Sequence, residues 1–236
     1  MKKILFAILS FAFVSAHGQT ADDIIQKYAK AMGGLPAINA IKTMKMKGTV
    51  TTQGMDLPLT AQIINGKAVR NDVEVMGQSV INSYKDGKGW KINPFAGAPT
   101  ATDMTPEELV DFKSQTMISN QLMDYKARGH KVELLGQEDV EGIKTYKIKL
   151  TNKDDNKVTT YFISVADNTL VKSISSRSMQ GQEMDVETFF SDIKDFNGLK
   201  FPMTRIQKIQ GEVFQEIKMS SIDFNVPIDE KVFDKQ

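Results

Sequence analysis

After Lys42 the chain is cut by turn signals at intervals of about eight to twelve residues, and the stretches between them alternate apolar with polar side chains. Short strands at that spacing point to an antiparallel β meander. The early turns are Gln53-Gly54, Asn65-Gly66, Met76-Gly77 and Asp86-Gly87. In the first stretch Met44, Met46, Gly48 and Val50 alternate with Lys45, Lys47 and Thr49, the pattern of a strand with one buried face. Leu57/Leu59/Ala61/Ile63, Val69/Val73/Val75, Val80–Tyr84 and Gly89–Ile92 follow. Pro58 suits an edge or the beginning of a strand, because proline cannot donate to a ladder. From Lys131 the alternation resumes through Val132/Leu134, Tyr146/Ile148/Leu150, Tyr161–Ile163, Leu170/Ile174, Met184/Val186/Thr188/Phe190, Leu199/Phe201 and Phe214–Phe224. This gives a mainly β (α+β) chain of about twelve strands with a few short helices.

Two segments break the alternation. Thr20 followed by Asp23 is a helix cap with an acidic third position, Ile24, Tyr28, Ala31 and Met32 recur at helical spacing, and Gly33-Gly34 ends the helix. Residues 93–99 read as a loop of small residues and proline. Thr105-Pro106-Glu107-Glu108 then combines an N-cap, a proline at the first helical position and a capping-box glutamate. Helical segments are expected from there to Gly129, inserted between two halves of one sheet. With no linker-like tract, residues 19–236 are expected to form one domain.

The first eighteen residues read as a signal peptide. Lys2 and Lys3 precede an apolar run from Ile4 to Ala16, and Ala16-His17-Gly18 offers small residues for cleavage. The run falls short of the ~20 residues that span a bilayer, and no other segment approaches that length. The expectation is a soluble periplasmic protein, a monomer. Cysteine is absent, which excludes thiol catalysis, cysteine-based metal sites, disulfides and a lipid anchor on an N-terminal cysteine. The 30 basic and 29 acidic residues balance, so no field steers the protein to nucleic acid.

The sequence assembles no catalytic site. His130, the only histidine beyond the signal segment, stands beside Gly129 without a G-x-S-x-G nucleophile motif elsewhere, and it reads as structural. Asp154-Asp155-Asn156 lacks calcium-loop spacing and reads as a hairpin tip. No metal or cofactor is expected. What stands out is apolar: 13 methionines and 13 phenylalanines against one tryptophan. Met44, Met46, Met184, Phe190, Phe201 and Met203 fall on one side of their strands. They form either a core filled by the helices or the lining of a cavity, since methionine adapts to ligands of variable shape and curved sheets of this size hold lipophilic molecules.

The order of elements resembles the LolA/LolB-like superfamily of periplasmic lipoprotein carriers, and especially the outer-membrane lipoprotein-sorting-like proteins of Bacteroidetes. The residues carrying the resemblance are Ala21–Tyr28 with Gly33-Gly34, Tyr84–Pro94, Tyr161–Ile163, Thr188–Asp192 with Gly198–Pro202, and Ile228–Phe233. It implies an unclosed antiparallel half-barrel covered by helices, with the acyl chains of a lipoprotein or another lipid held between. Carried onto this chain, Met44, Met46, Trp90, Ile92, Phe162, Met184, Val186, Phe190 and Phe201 line the cavity, and segments 21–32 and 105–128 form its lid. The carriers' cavity arginine corresponds to Arg70 or Arg177. The function implied is a non-enzymatic lipid carrier or chaperone; the alternative is an envelope assembly module with a filled core that docks a protein partner.

Overall fold

In the computed structural model, which describes residues 19–179 and 182–236, thirteen strands form one antiparallel sheet. The signal segment expected at 1–18 lies outside the described residues. The first half of the sheet comprises β1 (Thr43–Thr52), β2 (Met55–Ile64), β3 (Ala68–Val75), β4 (Gln78–Lys85), β5 (Lys88–Asn93) and β6 (Ala98–Asp103). The second comprises β7 (Lys131–Val140), β8 (Ile143–Thr151), β9 (Val158–Ser164), β10 (Leu170–Met179), β11 (Gln182–Phe196), β12 (Leu199–Ile209) and β13 (Glu212–Phe224). Each half is a meander, and the two meet where β1 pairs with β13. The edges are therefore β6 and β7, which do not pair, so the sheet stays open.

This topology dictates where the roof goes. The two edge strands are consecutive in sequence, so residues 104–130 must travel from one edge of the sheet to the other. That segment carries α3 (Pro106–Gln115) and α4 (Tyr125–Arg128). Helix α1 (Ala21–Ala31) and the short α2 (Leu35–Asn39) precede the central strand β1. Both long helices start as their sequences require: Thr20 with Asp23, and Thr105 with Glu108, form reciprocal capping boxes. The 105–128 segment is not one helix. After Thr116 the chain passes through turns, in which Asn120 caps Met123, before α4 ends at the left-handed Gly129.

The loop expected at 93–99 is a 3-10 turn over Pro94–Ala96 closed by Gly97, and its last two residues lead into a thirteenth strand. β6, Ala98-Pro-Thr-Ala-Thr-Asp103, pairs with β5. It lacks apolar alternation because an edge strand with both faces largely wet needs none, and its Pro99 is tolerated there. Pro58 lies in β2 opposite Thr49, one residue before pairing with β3 begins at Leu59.

The end of α1 is fixed by a close approach. Gly33 sits at φ +111°, and a Cβ there would lie 2.5 Å from the Gly198 carbonyl oxygen. Lys200 N–H donates to the Met32 carbonyl at 3.1 Å, fastening the helix to the β11–β12 hairpin. Only glycine allows both that backbone angle and that distance.

The α-helices of the described residues pack on one face of the sheet, called here the inner face. Ile24, Ile25 and Tyr28 of α1, with Met32 at its C-cap, join Leu122 and Tyr125 against Ile148, Leu150, Tyr161 and Ile163. A second cluster builds on Met44, Met46, Ala61, Ile63, Val69, Tyr84 and Met203, with Leu109 and Phe112 of α3 upon it. Ile118 touches both. The outer face has its own cover. The C-terminal segment turns back across β3–β5, burying Phe233, whose carbonyl accepts from Trp90 Nε1 at 2.8 Å and Ser83 Oγ at 3.0 Å.

Candidate functional site

Strand pairing decides which of the expected lining residues share a face, because paired residues on antiparallel strands point the same way. Met44, Met46, Met184, Val186, Phe190 and Phe201 lie on the inner face with the helices. Met44 and Met46 are buried in the second cluster. Phe201 packs on that cluster and against the rings of Phe196 and Phe224, with centroids 6.5 and 5.1 Å away. Phe190 packs half-buried on the first cluster. Val186 and Met184 continue along β11 beyond either cluster.

Trp90, Ile92 and Phe162 are on the other side. Gly89 and Lys91 are the inner residues of β5: Gly89 faces Met104 and Leu109, and Lys91 pairs with Glu108 of α3 at 2.5 Å. Trp90 and Ile92 alternate with them and therefore point outward. Trp90 holds the C-terminal segment, under the guanidinium of Arg70 at 5.6 Å. Phe162 alternates with the inner residues Tyr161 and Ile163. It is fully buried although no helix covers it, because Lys147 and Lys172, its cross-strand partners, lay their ammonium groups over its ring at 5.5 and 4.9 Å. Their aliphatic stems seal the aromatic ring against water while their charges pair with Glu138 and Glu187.

The apolar side of the inner face extends beyond the two helix-packed clusters, with Val50 and Val186 buried and Leu57, Ile209 and Ile217 half-buried. Val50 pairs with Leu57 and with Ile217, Ile217 with Arg205, Arg205 with Phe190, and Val186 with Ile209. Val50, Leu57, Ile209 and Ile217 belong to neither helix-packed cluster. They run toward the sheet end formed by the turns at Gln53-Gly54, Met76-Gly77 and Gln210-Gly211. At that end Met76 is 80 % exposed.

Neither arginine proposed from the sequence sits under the roof. Arg70 is on the outer face, bonded to Asp72 and to the Val232 carbonyl. Arg177, near the far end of β10, is exposed. The sequence reading passed over Arg205. It lies on β12 in register with Phe190 and Ile217, beneath α1 and close enough to Tyr28 for the two to influence each other electrostatically. Its Nε is buried without a hydrogen-bond partner among the described residues. Burial lowers the guanidinium's proton affinity and raises that of the Tyr28 phenol; Tyr161, buried nearby, is pushed up to about 12. Both phenols remain neutral donors at ordinary pH. A signal for Arg205 was present: Phe201, Met203, Arg205, Gln207 and Ile209 alternate, so it shares the face of the two apolar residues already placed there.

Polar pairs stitch the roof together. The Tyr125 hydroxyl and the Lys126 ammonium both reach Asp22 of α1, the latter at 2.6 Å, and Asn120 Nδ2 donates to the Tyr28 hydroxyl at 2.6 Å. Arg128 bonds Asp124 at 2.5 Å and the Ser119 carbonyl at 3.1 Å. His130 is structural in its contacts, its Nδ1 accepting from Lys153 N–H at 3.2 Å. Asp155 and Asn152 cap backbone amides at a hairpin tip. Among the described residues no group of three acidic or histidine side chains is arranged to hold a metal ion, and no helix is long and apolar enough to cross a membrane.

No protein-family model matches the chain, and no curated protein matches it. Solved structures do. The LolA superfamily protein NE2245 from Nitrosomonas europaea superposes with a TM-score of 0.60 at 13% identity, covering 92% of this chain and 98% of that one. A putative outer membrane lipoprotein-sorting protein domain from Vibrio parahaemolyticus gives 0.59 at 12%, covering 90% and 97%. A DUF1329 family protein from Desulfovibrio piger gives 0.59 at 11%, covering 92% and 98%. At these identities the likeness is one of architecture, and an open antiparallel sheet of this length, roofed on one face and superposing end to end on such proteins, has the LolA-like fold.

Proposed function

We propose that the chain is an exported, non-enzymatic carrier or chaperone that holds acyl chains, of lipoproteins or of other lipids, between its inner face and its roof. The observation that carries this reading is the row of apolar side chains that crosses the inner face from Phe190 to Ile217, Val50 and Leu57, with Arg205 between the first two, and whose last three members lie outside both helix-packed clusters. A methylene moved from water into such a surface gains roughly 0.8 kcal/mol, so an acyl tail is held without directional chemistry. The roof suits a carrier because it is linked to itself by polar pairs, Asp22 with Lys126 and Tyr28 with Asn120, which can open without breaking the sheet. The fold it shares with a lipoprotein-sorting protein domain supports a place in outer-membrane lipoprotein traffic.

The test is native mass spectrometry with lipid extraction on protein purified from a periplasm without detergent. A stoichiometric acyl species supports the carrier and names the cargo. A clean apo mass, with no uptake of added lipid or fluorescent fatty acid, refutes it and directs attention to a protein partner.

A further inference from the structure

The four arginines of the chain are treated differently by the fold. Arg70 is matched by Asp72 and a backbone carbonyl, and Arg128 by Asp124 and another carbonyl. Arg177 is exposed. Arg205 alone is set deep on an apolar face with no hydrogen bond or ion pair among the described residues, its strand neighbours being Phe190 and Ile217. The nearby carboxylates are turned away: Glu187 and Glu216 lie on the outer face, paired with Lys172 and Lys218. Nε of the guanidinium is fully enclosed and unpartnered among the described residues, while the residue as a whole keeps partial exposure.

A guanidinium cannot escape the cost of burial by losing its proton, as a lysine would. A charge withdrawn from bulk water destabilises the fold unless something compensates it, and a fork of N–H donors matches the two oxygens of a carboxylate or phosphate. Tyr28 adds a second donor. Its hydroxyl accepts from Asn120, and among the described residues no acceptor takes its own proton. We infer that Arg205 and the Tyr28 hydroxyl form an anion subsite beneath α1, and that the cargo is an acyl anion bound head inward. The inference rests on the carrier reading and narrows it. A lipoprotein enters tail first with its polypeptide outside and has no anion to place at Arg205, whereas a free fatty acid or a lysophosphatidate has one.

Three ligands with one tail test it on the mature chain, each displacing a neutral fluorescent alkyl probe: oleate, oleyl alcohol and 1-oleoyl-lysophosphatidate. Oleate is expected to bind at least about tenfold tighter than the alcohol, the effect of one added charge-assisted contact. Arg205→Gln should level the two while leaving alcohol binding intact, which also shows that the variant folds. Arg205→Lys should keep part of the preference, and Tyr28→Phe should reduce it several-fold. Lysophosphatidate binding tighter than oleate assigns the subsite to phosphate; the reverse order assigns it to carboxylate. Equal affinity for oleate and alcohol, or a preference that survives Arg205→Gln, overturns the subsite and leaves the carrier standing. Failure of all three ligands and the probe to bind overturns the carrier itself.

Discussion

Two phenylalanines, one on each face, separate packing from binding. Phe162 is 0 % exposed and closed in by Lys147 and Lys172. Its truncation to alanine removes a whole buried ring and leaves a cavity on the outer face, at a cost of about 3–5 kcal/mol. The two cation–π contacts are lost as well, but their lysines keep ion pairs to Glu138 and Glu187, so their share is minor. Phe190 is half-buried on the inner face, so Phe190→Ala forfeits only part of the ~1.5–3 kcal/mol that full burial of such a side chain yields, about 1–2 kcal/mol. For a protein of this size each kcal/mol moves the melting midpoint by roughly 2–4 °C. Phe162→Ala should therefore melt about 6–20 °C lower and Phe190→Ala no more than about 8 °C lower. Binding should invert the order, with fluorescent fatty acid affinity falling in Phe190→Ala and unchanged in folded Phe162→Ala. A core-sized loss of stability at Phe190, or a binding loss confined to Phe162, would refute the division of faces.

Further consequences follow from individual contacts. Trp90→Phe removes the Nε1–H bond to Phe233 and should speed amide exchange across residues 230–234 at a stability cost of about 1 kcal/mol, with lipid affinity unchanged. Gly33→Ala forces a Cβ against the Gly198 carbonyl and should lower the melting midpoint by more than 4 °C, roughly the shift of a 2 kcal/mol core defect; a smaller shift would show that α1 has slack at that end. Tyr125→Phe frees one tie between roof segments, and should raise the release rate of a bound fluorescent fatty acid more than it changes its association rate. Burial, followed by the nearby Arg128 charge, holds His130 below its ordinary value, 6.5. The unfolded chain then binds the extra proton more readily, so stability is fully present above pH 6.5 and falls as pH drops through the window below it. His130→Gln should flatten that slope in melting curves between about pH 7.5 and 5.5.

The periodic stretches gave the strands, the capping boxes gave two helix starts, and the Gly-Gly pair gave the end of α1, because each rests on local chemistry. What alternation leaves open is which of a strand's two faces meets the helices. In β5 the apolar set, Trp90 and Ile92, faces outward, while the inner positions hold Gly89 and Lys91. Gly89 is inner because Met104 and Leu109 need its missing side chain, a fact about another segment of the chain. In β9 three apolar residues in a row, Tyr161-Phe162-Ile163, erase the parity altogether. Strand β6 escaped notice because an edge strand of Thr, Ala and Pro buries too little to leave a pattern. Arg205 is the opposite case: its parity with Phe201 and Met203 was readable, but a charge at a core position looks like an interruption until the space around it is known.

The meeting of β1 with β13 ties these features into one device. It makes the chain's two ends central and its middle peripheral, so the longest connection, 104–130, has to bridge the open edges and becomes the roof. A roof built as a connection is held by its ends, by the apolar contacts of Leu109, Phe112, Leu122 and Tyr125 with the sheet clusters, and by the few polar pairs it makes with α1. Loosening those pairs leaves every strand ladder intact. The sheet end bounded by the turns at residues 53, 76 and 210 lies beyond both helix-packed clusters, and Leu57, Ile209 and Ile217 extend the inner face toward it. An acyl anion seated at Arg205 would thus have its charge beside α1 and its tail along the inner face toward that end, past Ile217 and Ile209 and the Thr188–Gln207 pair. Opening the roof would then expose the head first, which makes release sensitive to the contacts of Asp22 and Tyr28 more than to the length of the tail.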